Sequence, residues 1–143
     1  MFSKGFTLVE ILAAVVLLGL AIAAIVASNI AYTQATAQAV QLSTAEFLIE
    51  QIRELTAQLP MRDPNSGDVD DFDGASFNPP IDCQRKQLTD FSDYSQAVMV
   101  EDVNASNFQQ IVADHSSDFV RVTVRILYRN GEITRMSWIR SND

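Results

Sequence analysis

An apolar segment near the N-terminus that carries one carboxylate constrains this chain more than any other feature. From Phe6 to Ala27 the sequence has 22 residues, and only Thr7 and Glu10 among them are more polar than a small residue. About 20 apolar residues span a bilayer as a helix, in which every backbone polar group is paired internally. The segment is therefore predicted to be a transmembrane helix, and Glu10 to be a costly group kept for function.

The flanking charges predict how this helix is oriented. Lys4 precedes the apolar run, and the next cationic side chain is Arg53. The positive-inside rule then places the N-terminus in the cytoplasm and the rest of the chain across the membrane. A secretory signal peptide with a small-residue cleavage site among Ala21–Ser28 is one alternative, although the apolar run is long for one. An ordinary single-pass anchor is another. Neither alternative explains Glu10.

The helical pattern continues beyond the membrane segment. Ser28–Leu59 contains no proline or glycine and is rich in good helix formers. Apolar side chains recur at spacings of three or four residues, and Pro60 then ends the helix. This stripe consists of Leu42, Ala45, Ile49, Ile52, Leu55 and Leu59, widened by Phe47 and Leu48. The pattern predicts an amphipathic helix whose stripe packs against a small domain.

The C-terminal third of the chain has the alternation of β-strands. Phe119–Tyr128 alternates apolar and polar residues, Asn130-Gly131 is a strong hairpin signal, and Glu132–Ile139 is the expected partner strand. A further strand is predicted at Ala97–Val103. The residues 108–115 fit either a short helix or a loop.

Together these patterns predict an α+β fold, in which a long N-terminal helix packs on a small antiparallel sheet of three or four strands. The chain is long enough for one domain. The predicted segments are the transmembrane half of the helix at 6–27, its amphipathic half at 28–59, an acidic loop region at 60–93 and a β-sheet head at 94–143.

The loop region is dense in carboxylates, which are Asp68, Asp70, Asp71 and Asp73. Oxygen ligands at alternate positions suit Ca²⁺, but the glutamate that completes an EF-hand is missing. A solvated turn whose aspartates cap local N–H groups is the simpler interpretation. Contact with a basic neighbouring subunit is a third. Ca²⁺ is the only cofactor the sequence suggests.

Composition and motifs argue against nucleic-acid binding and catalysis. The net charge of −8 gives no basic surface for nucleic acid. His115 stands in Asp-His-Ser-Ser, where adjacent residues cannot form a catalytic triad, and the sequence has no glycine-rich phosphate loop and no Cys/His metal-ligand spacing. His115 is therefore interpreted as a surface loop residue and the chain as a non-enzyme.

The remaining charged and reactive residues leave alternatives open. Five arginines fall in the predicted C-terminal strands and would either meet the acidic loop or an acidic neighbour, or form a solvated sheet face. They are Arg121, Arg125, Arg129, Arg135 and Arg140. Cys83 is the only cysteine, so an intrachain disulfide is excluded and an intermolecular one stays an alternative.

The N-terminal residues resemble a known signal. Lys4-Gly5-Phe6-Thr7-Leu8-Val9-Glu10, followed by an aliphatic helix, resembles the class III signal of type IV pilins and type II secretion pseudopilins. The resemblance implies that a prepilin peptidase removes the leader, residues 1–5, by cutting between Gly5 and Phe6, and methylates the new amine of Phe6. It also implies that Glu10 pairs with this amine on a neighbouring subunit, which would offset the cost of both charges and fix axial register. The alternative is that Glu10 only lies at the membrane interface.

A second, shorter resemblance concerns the loop. Val69–Gly74 is similar to the loop of MshD-like minor pilins of the mannose-sensitive haemagglutinin (MSHA) pilus. Many major pilins close their C-terminal region with a disulfide, which this chain departs from, and that favours a minor subunit. The resemblance implies an inner-membrane protein with a periplasmic head that joins other pilin subunits through its helix. A type II secretion pseudopilin and a non-assembling, anchored periplasmic binding module remain the alternatives.

Overall fold

The structure is a computed structural model that describes residues 7–62 and 67–141. Gly5 and Phe6, the predicted cleavage and methylation residues, lie outside the described residues. In chain order the elements are α1 (Leu8–Gln58), β1 (Ser76–Phe77), β2 (Tyr94–Asn104), β3 (Asn107–Ile111), β4 (Phe119–Tyr128) and β5 (Gly131–Ser141), with short 3-10 turns at Asp70–Phe72 and Thr89–Phe91. The chain divides into two compact units between Val40 and Gln41.

The first unit contains the apolar part of α1. Every residue from 8 to 40 is exposed, and the large apolar side chains here include Leu20 at 64% exposure. By length and composition alone, α1 is the one described helix that is apolar enough to cross a membrane. The predicted transmembrane segment is thus helical, and nothing within its own unit covers its apolar surface.

In the second unit, the last turns of α1 form one side of the hydrophobic core. The buried helix residues pack in one cluster with Val98 of β2 and with the inward side chains of β4, as the alternation predicted. The helix contributes Ala45, Leu48, Ile49, Ile52 and Leu55, and β4 contributes Val120, Val122, Val124 and Ile126. Leu42 and Phe47, which the sequence placed in the stripe, remain exposed. The α+β architecture predicted from sequence is confirmed.

The sheet has five antiparallel strands in the order β1-β2-β4-β5, with β3 paired to the far end of β2. The predicted count of three or four was too low. The two-residue β1 lies inside the segment predicted as loop, and β3 occupies residues interpreted as helix or loop. Both are short and lack clear alternation: all five residues of β3 are exposed, so no buried face marks it in the sequence.

The β4–β5 hairpin turns one residue earlier than the Asn-Gly signal suggested. Tyr128 pairs with Gly131, so Arg129 and Asn130 are the central residues of the turn. Both have positive φ, 48° and 69°, as a type I′ turn requires. Gly131 becomes the first residue of β5. The hairpin prediction was correct, whereas its register was wrong by one residue.

A fully buried glutamine joins three segments of the head. The side-chain oxygen of Gln96 accepts from Ile81 N at 2.8 Å, and its amide nitrogen donates to Leu48 O at 2.9 Å and Ile81 O at 3.1 Å. A buried amide without partners would cost free energy, so these three bonds are what makes Gln96 tolerable in the core. They fasten β2 to α1 and to the loop before β2.

Arg140 of β5 completes the C-terminal end of α1. Its guanidinium donates to Thr56 O, and both terminal nitrogens lie 3.1 Å from Leu59 O. The last carbonyls of a helix have no partner within the helix and carry partial negative charge, which a cation stabilises. The last turn of α1 contains no basic residue of its own. The final strand therefore supplies the cap.

Candidate functional site

The N-terminal end of α1 is set by Thr7. Thr7 Oγ1 accepts from Glu10 N at 3.3 Å, and Thr7 O accepts from Glu10 N at 3.0 Å and Ile11 N at 3.2 Å. A threonine cap followed three residues later by glutamate is the capping-box pattern, and an acid in the first turn suits the helix dipole. Glu10 therefore has a local reason to stand here in addition to any role between subunits.

Glu10 borders an apolar groove on the same helix. The groove is lined by Glu10, Ile11, Ala14, Val15 and Leu18. Its predicted partner, the amine of Phe6, lies outside the described residues, so the intersubunit ion pair stays a prediction. Within the described chain, Glu10 is the one acid of the exposed apolar helix before Glu46. A carboxylate in that position is available to a partner that approaches along the groove.

The acidic loop forms a turn held by its own carboxylates. Asp71 N donates to Asp68 Oδ1 at 3.1 Å, and Asp68 N lies 3.4 Å from Asp71 Oδ2, so the two residues cap each other. Asp73 Oδ1 accepts from Val100 N at 2.9 Å, which attaches the loop to β2. Phe72 between them is buried. Three of the four predicted carboxylates are thus bonded to main-chain N–H groups.

The fourth carboxylate, Asp70, belongs to a charged network around Arg62. Arg62 Nε lies 3.4 Å from Asp70 Oδ2, Nη1 donates to Ser117 O at 2.9 Å, and Nη2 donates to Asp102. Asp102 is only 5% exposed, and its second oxygen accepts from His115 N at 2.9 Å. The network joins the end of α1, the acidic loop, β2 and the β3–β4 loop.

His115 also faces two carboxylates through its ring. Nε2 lies 3.4 Å from Asp70 Oδ2, and Nδ1 lies 3.2 Å from Asp114 Oδ2. The ligand atoms of Asp70, Asp114 and His115 all lie within 4.8 Å of one another. Among the described residues, these three side chains are therefore spaced closely enough to hold a metal ion. They differ from the set predicted for Ca²⁺, of which only Asp70 is a member. Asp70 is already paired with Arg62.

These residues line a cleft of about 680 Å³ at this end of the head. Its walls include Val100, Ile111 and Val112 besides the charged side chains, which are Asp68, Asp70, Asp71, Asp73, Glu101, Asp102, Asp114 and His115. Burial raises the pKa of Asp70, although the charges of Arg62 and His115 oppose it. Burial by itself lowers the pKa of Arg62. The hydrogen bond and charge of Asp102, and the charge and hydrogen bond of Asp70, outweigh burial, so the pKa of Arg62 is raised overall.

The five C-terminal arginines do not meet the acidic loop together but contact several different partners. Arg121 pairs with Glu101 at 2.7 Å, Arg129 with Asp93 at 3.2 Å, and Arg125 and Arg135 both approach Glu132. Arg140 caps α1. The cation that meets Asp70 of the acidic loop is instead Arg62, which no sequence motif marks and whose other partners, Asp102 and Ser117, are 40 and 55 positions away.

Cys83 is half-buried next to the helix. Its backbone N–H donates to Gln51 Oε1 at 3.2 Å. Burial raises the pKa of its thiol, and the neighbouring Glu54 adds to the effect. A thiol that resists ionisation is a poor nucleophile and a slow partner in disulfide exchange.

Comparison with known proteins identifies the N-terminal segment. Residues 1–26 match the family model described as the prokaryotic N-terminal methylation motif. No curated protein and no solved structure matches the chain. The motif contains Gly5, Phe6 and Glu10, and it supports processing by a prepilin peptidase. This motif, together with a long apolar helix followed by an antiparallel sheet, supports the resemblance of the chain to type IV pilins and pseudopilins.

Proposed function

We propose that this protein is a minor structural subunit of a type IV pilus of the MSHA type. The prepilin peptidase removes residues 1–5 and methylates Phe6, and the mature protein enters the filament through its N-terminal helix. Its partners are then the peptidase, the inner membrane and other pilin subunits. Its role is structural rather than enzymatic: the helix packs, Glu10 sets register, and the head is presented outward.

The apolar surface of α1 carries this proposal. A helix with an exposed apolar surface runs from Leu8 to Val40, beginning within the methylation motif of residues 1–26, and Glu10 is the only acid in this stretch. A monomeric soluble protein rarely exposes so much contiguous apolar surface, which marks contact with membrane or with other chains. Insertion in the inner membrane with the N-terminus in the cytoplasm, followed by transfer to a filament, provides both environments in turn.

The first experiment is the intact mass and N-terminal sequence of the protein extracted from membranes, with and without the prepilin peptidase. The expected chain begins at N-methylated Phe6 only when the peptidase is present. A chain that begins at Met1 in both cells would reduce the protein to a single-pass anchor. One that begins near Ser28 would make it an ordinary secreted protein, and the assembly proposal would fall.

The role of Glu10 is tested separately from processing. We expect Glu10→Ala to be cleaved normally but to enter the sheared filament fraction at least about tenfold less than the wild type, because an ion pair in an apolar seam is lost. Glu10→Asp keeps the charge and is the matched control. If Glu10→Ala assembled at the wild-type level, the membrane-resident binding module would become the better account.

A secretion pseudopilin is the second candidate, because it would share the same processing and the same helix. The preference for the MSHA type rests on the likeness of Val69–Gly74 to MshD-like loops. Deleting each assembly machinery in turn distinguishes the two. Loss of the protein from the surface fraction only when the pilus machinery is removed would support the pilus, and loss only when the secretion machinery is removed would support the pseudopilus.

A further inference from the structure

Among the described residues, the outer edge of β5 from Thr134 to Ile139 is not paired with another strand. β5 has 11 residues and pairs with β4 along one side. Within residues 7–62 and 67–141, no strand pairs with its other side. An edge strand exposes a row of N–H and C=O groups to which another chain can pair, and native proteins usually block a long edge.

Two of the usual blocking devices, proline and a bulge, are missing from most of this edge. β5 contains no proline, and the irregularity in its pairing with β4 lies close to the hairpin, between Ile126 and Leu127. From Thr134 onward the register is regular. Arg140 is directed to the end of α1. The stretch from Thr134 to Ile139 is therefore a regular strand edge.

The charges beside this edge are not balanced. Arg125 of β4 lies directly opposite Arg135 of β5, an arrangement of like charges that is unfavourable in a sheet. Both guanidiniums share one carboxylate: Glu132 is 3.1 Å from Arg135 and 3.9 Å from Arg125. The Arg135 side chain is 70% exposed. A second carboxylate beside Arg135 would leave Glu132 to pair with Arg125.

Apolar side chains flank the same edge on both faces of the sheet. Met136 lies opposite Val124, which is in the core, and yet Met136 is 41% exposed. Ile139 lies opposite Arg121 on the outer face and is also partly exposed. One further strand beside β5 would cover both side chains.

We propose that the β5 edge binds an extended acidic segment of another protein by strand addition. Main-chain hydrogen bonds along the edge provide affinity, and a carboxylate of the partner beside Arg135 provides selectivity. The proposal concerns the head alone, and it holds or fails independently of leader processing and of Glu10.

A photo-crosslinking residue at position 139 of the full-length chain, in its native membranes, tests the proposal. Phe47 of α1 has similar exposure and lies outside the sheet, and it is the matched control position. We expect an adduct from position 139 and none from position 47, with the crosslinked partner peptide containing Asp or Glu. A second copy of this chain as the partner, equal yields from both positions, or no adduct from position 139 would overturn the proposal.

Charge reversal provides the second arm of the experiment. Arg135→Glu turns the like-charged pair with Arg125 into an opposite-charged one, so the sheet is retained while an acidic partner is repelled. We expect the adduct yield to fall at least about fivefold. Lys86→Glu makes the same charge change at an exposed site outside the sheet and is expected to leave the yield within about twofold. An undiminished yield for Arg135→Glu would rule out the acidic partner.

Discussion

The two stretches of α1 differ in what covers them. Residues 8–40 are exposed all around, whereas the inner face of residues 41–58 is closed, with Ile52 fully buried. Both stretches are helical, but most helices in proteins owe their stability to packing of an apolar face. The second stretch finds that packing within its own unit, and the first does not. Under the proposed function, lipid and then other subunits cover the first stretch, so one helix serves as a core element of the head and as an interaction surface.

A matched pair of truncations gives the strongest test of this difference between the two stretches. We expect Ile52→Ala to lower the free energy of unfolding of the head by about 2–5 kcal/mol, because it opens a cavity in the core. Leu20→Ala removes an exposed side chain and should leave this free energy unchanged. The single tryptophan, Trp138 of β5, reports unfolding by fluorescence in detergent. Equal losses in both variants would show that the exposed stretch belongs to the head's folding unit.

Replacement of the buried polar side chain of Gln96 by an apolar one tests the packing of the head further. We expect Gln96→Met to cost about 1–3 kcal/mol, since Ile81 N and two carbonyl oxygens lose their partner in the interior. Gln109→Met on the exposed strand β3 is the control, with little expected change. The same fluorescence melts measure both. If Gln96→Met were neutral, a hydrophobic side chain would fill that position as well as the amide does.

The acidic loop gives a smaller effect. We expect Asp73→Ala to cost about 1 kcal/mol through the lost bond to Val100 N. Removal of divalent ions with EDTA should leave the melting temperature of the wild type unchanged, because Asp68, Asp71 and Asp73 already accept from main-chain N–H groups. A clear rise in melting temperature on adding Ca²⁺ would instead show that the loop binds the ion.

The smallest expected effect is a pH dependence at Asp70. Burial raises the pKa of this carboxyl in the folded head, so between its unfolded and folded pKa the folded state binds the additional proton. Ionisation of Asp70 therefore costs stability, and this contribution improves as the pH falls through that window. Asp70→Asn should flatten the profile and change stability at pH 7 by less than about 1 kcal/mol. A stability that declined with falling pH because of Asp70 would mean that Arg62 outweighs burial.

The regular elements of the head were predictable where one face of an element is buried. β4 has the predicted bounds, Phe119–Tyr128, because its alternation repeats over the whole strand. The helix ends at Gln58, close to the predicted stop at Pro60. β3 was missed because it has no buried face. The hairpin register was wrong because Arg129 and Asn130, rather than Asn130 and Gly131, adopt positive φ.

The interactions that organise the head were largely beyond sequence reasoning. Arg62 and Asp102 are 40 positions apart, and neither has a local signal that names the other. His115 was interpreted as a surface loop residue, and it is one, but tertiary folding also places it beside Asp70. The Thr7 cap is different, since Thr7 and Glu10 form a capping-box pattern that is visible in the sequence. Glu10, Gly5 and Phe6 were identifiable because they lie in one contiguous motif.

The cap on α1 has a consequence for the order in which the molecule forms. Leu59 O and the guanidinium of Arg140 are 81 positions apart, so the first element of the chain is completed by one of its last residues. A contact of such long range is slow to form, since the intervening chain has to be ordered first. During synthesis the helix end stays uncapped until Arg140 has left the ribosome. Closure of this one contact is thus a late step in the formation of the head.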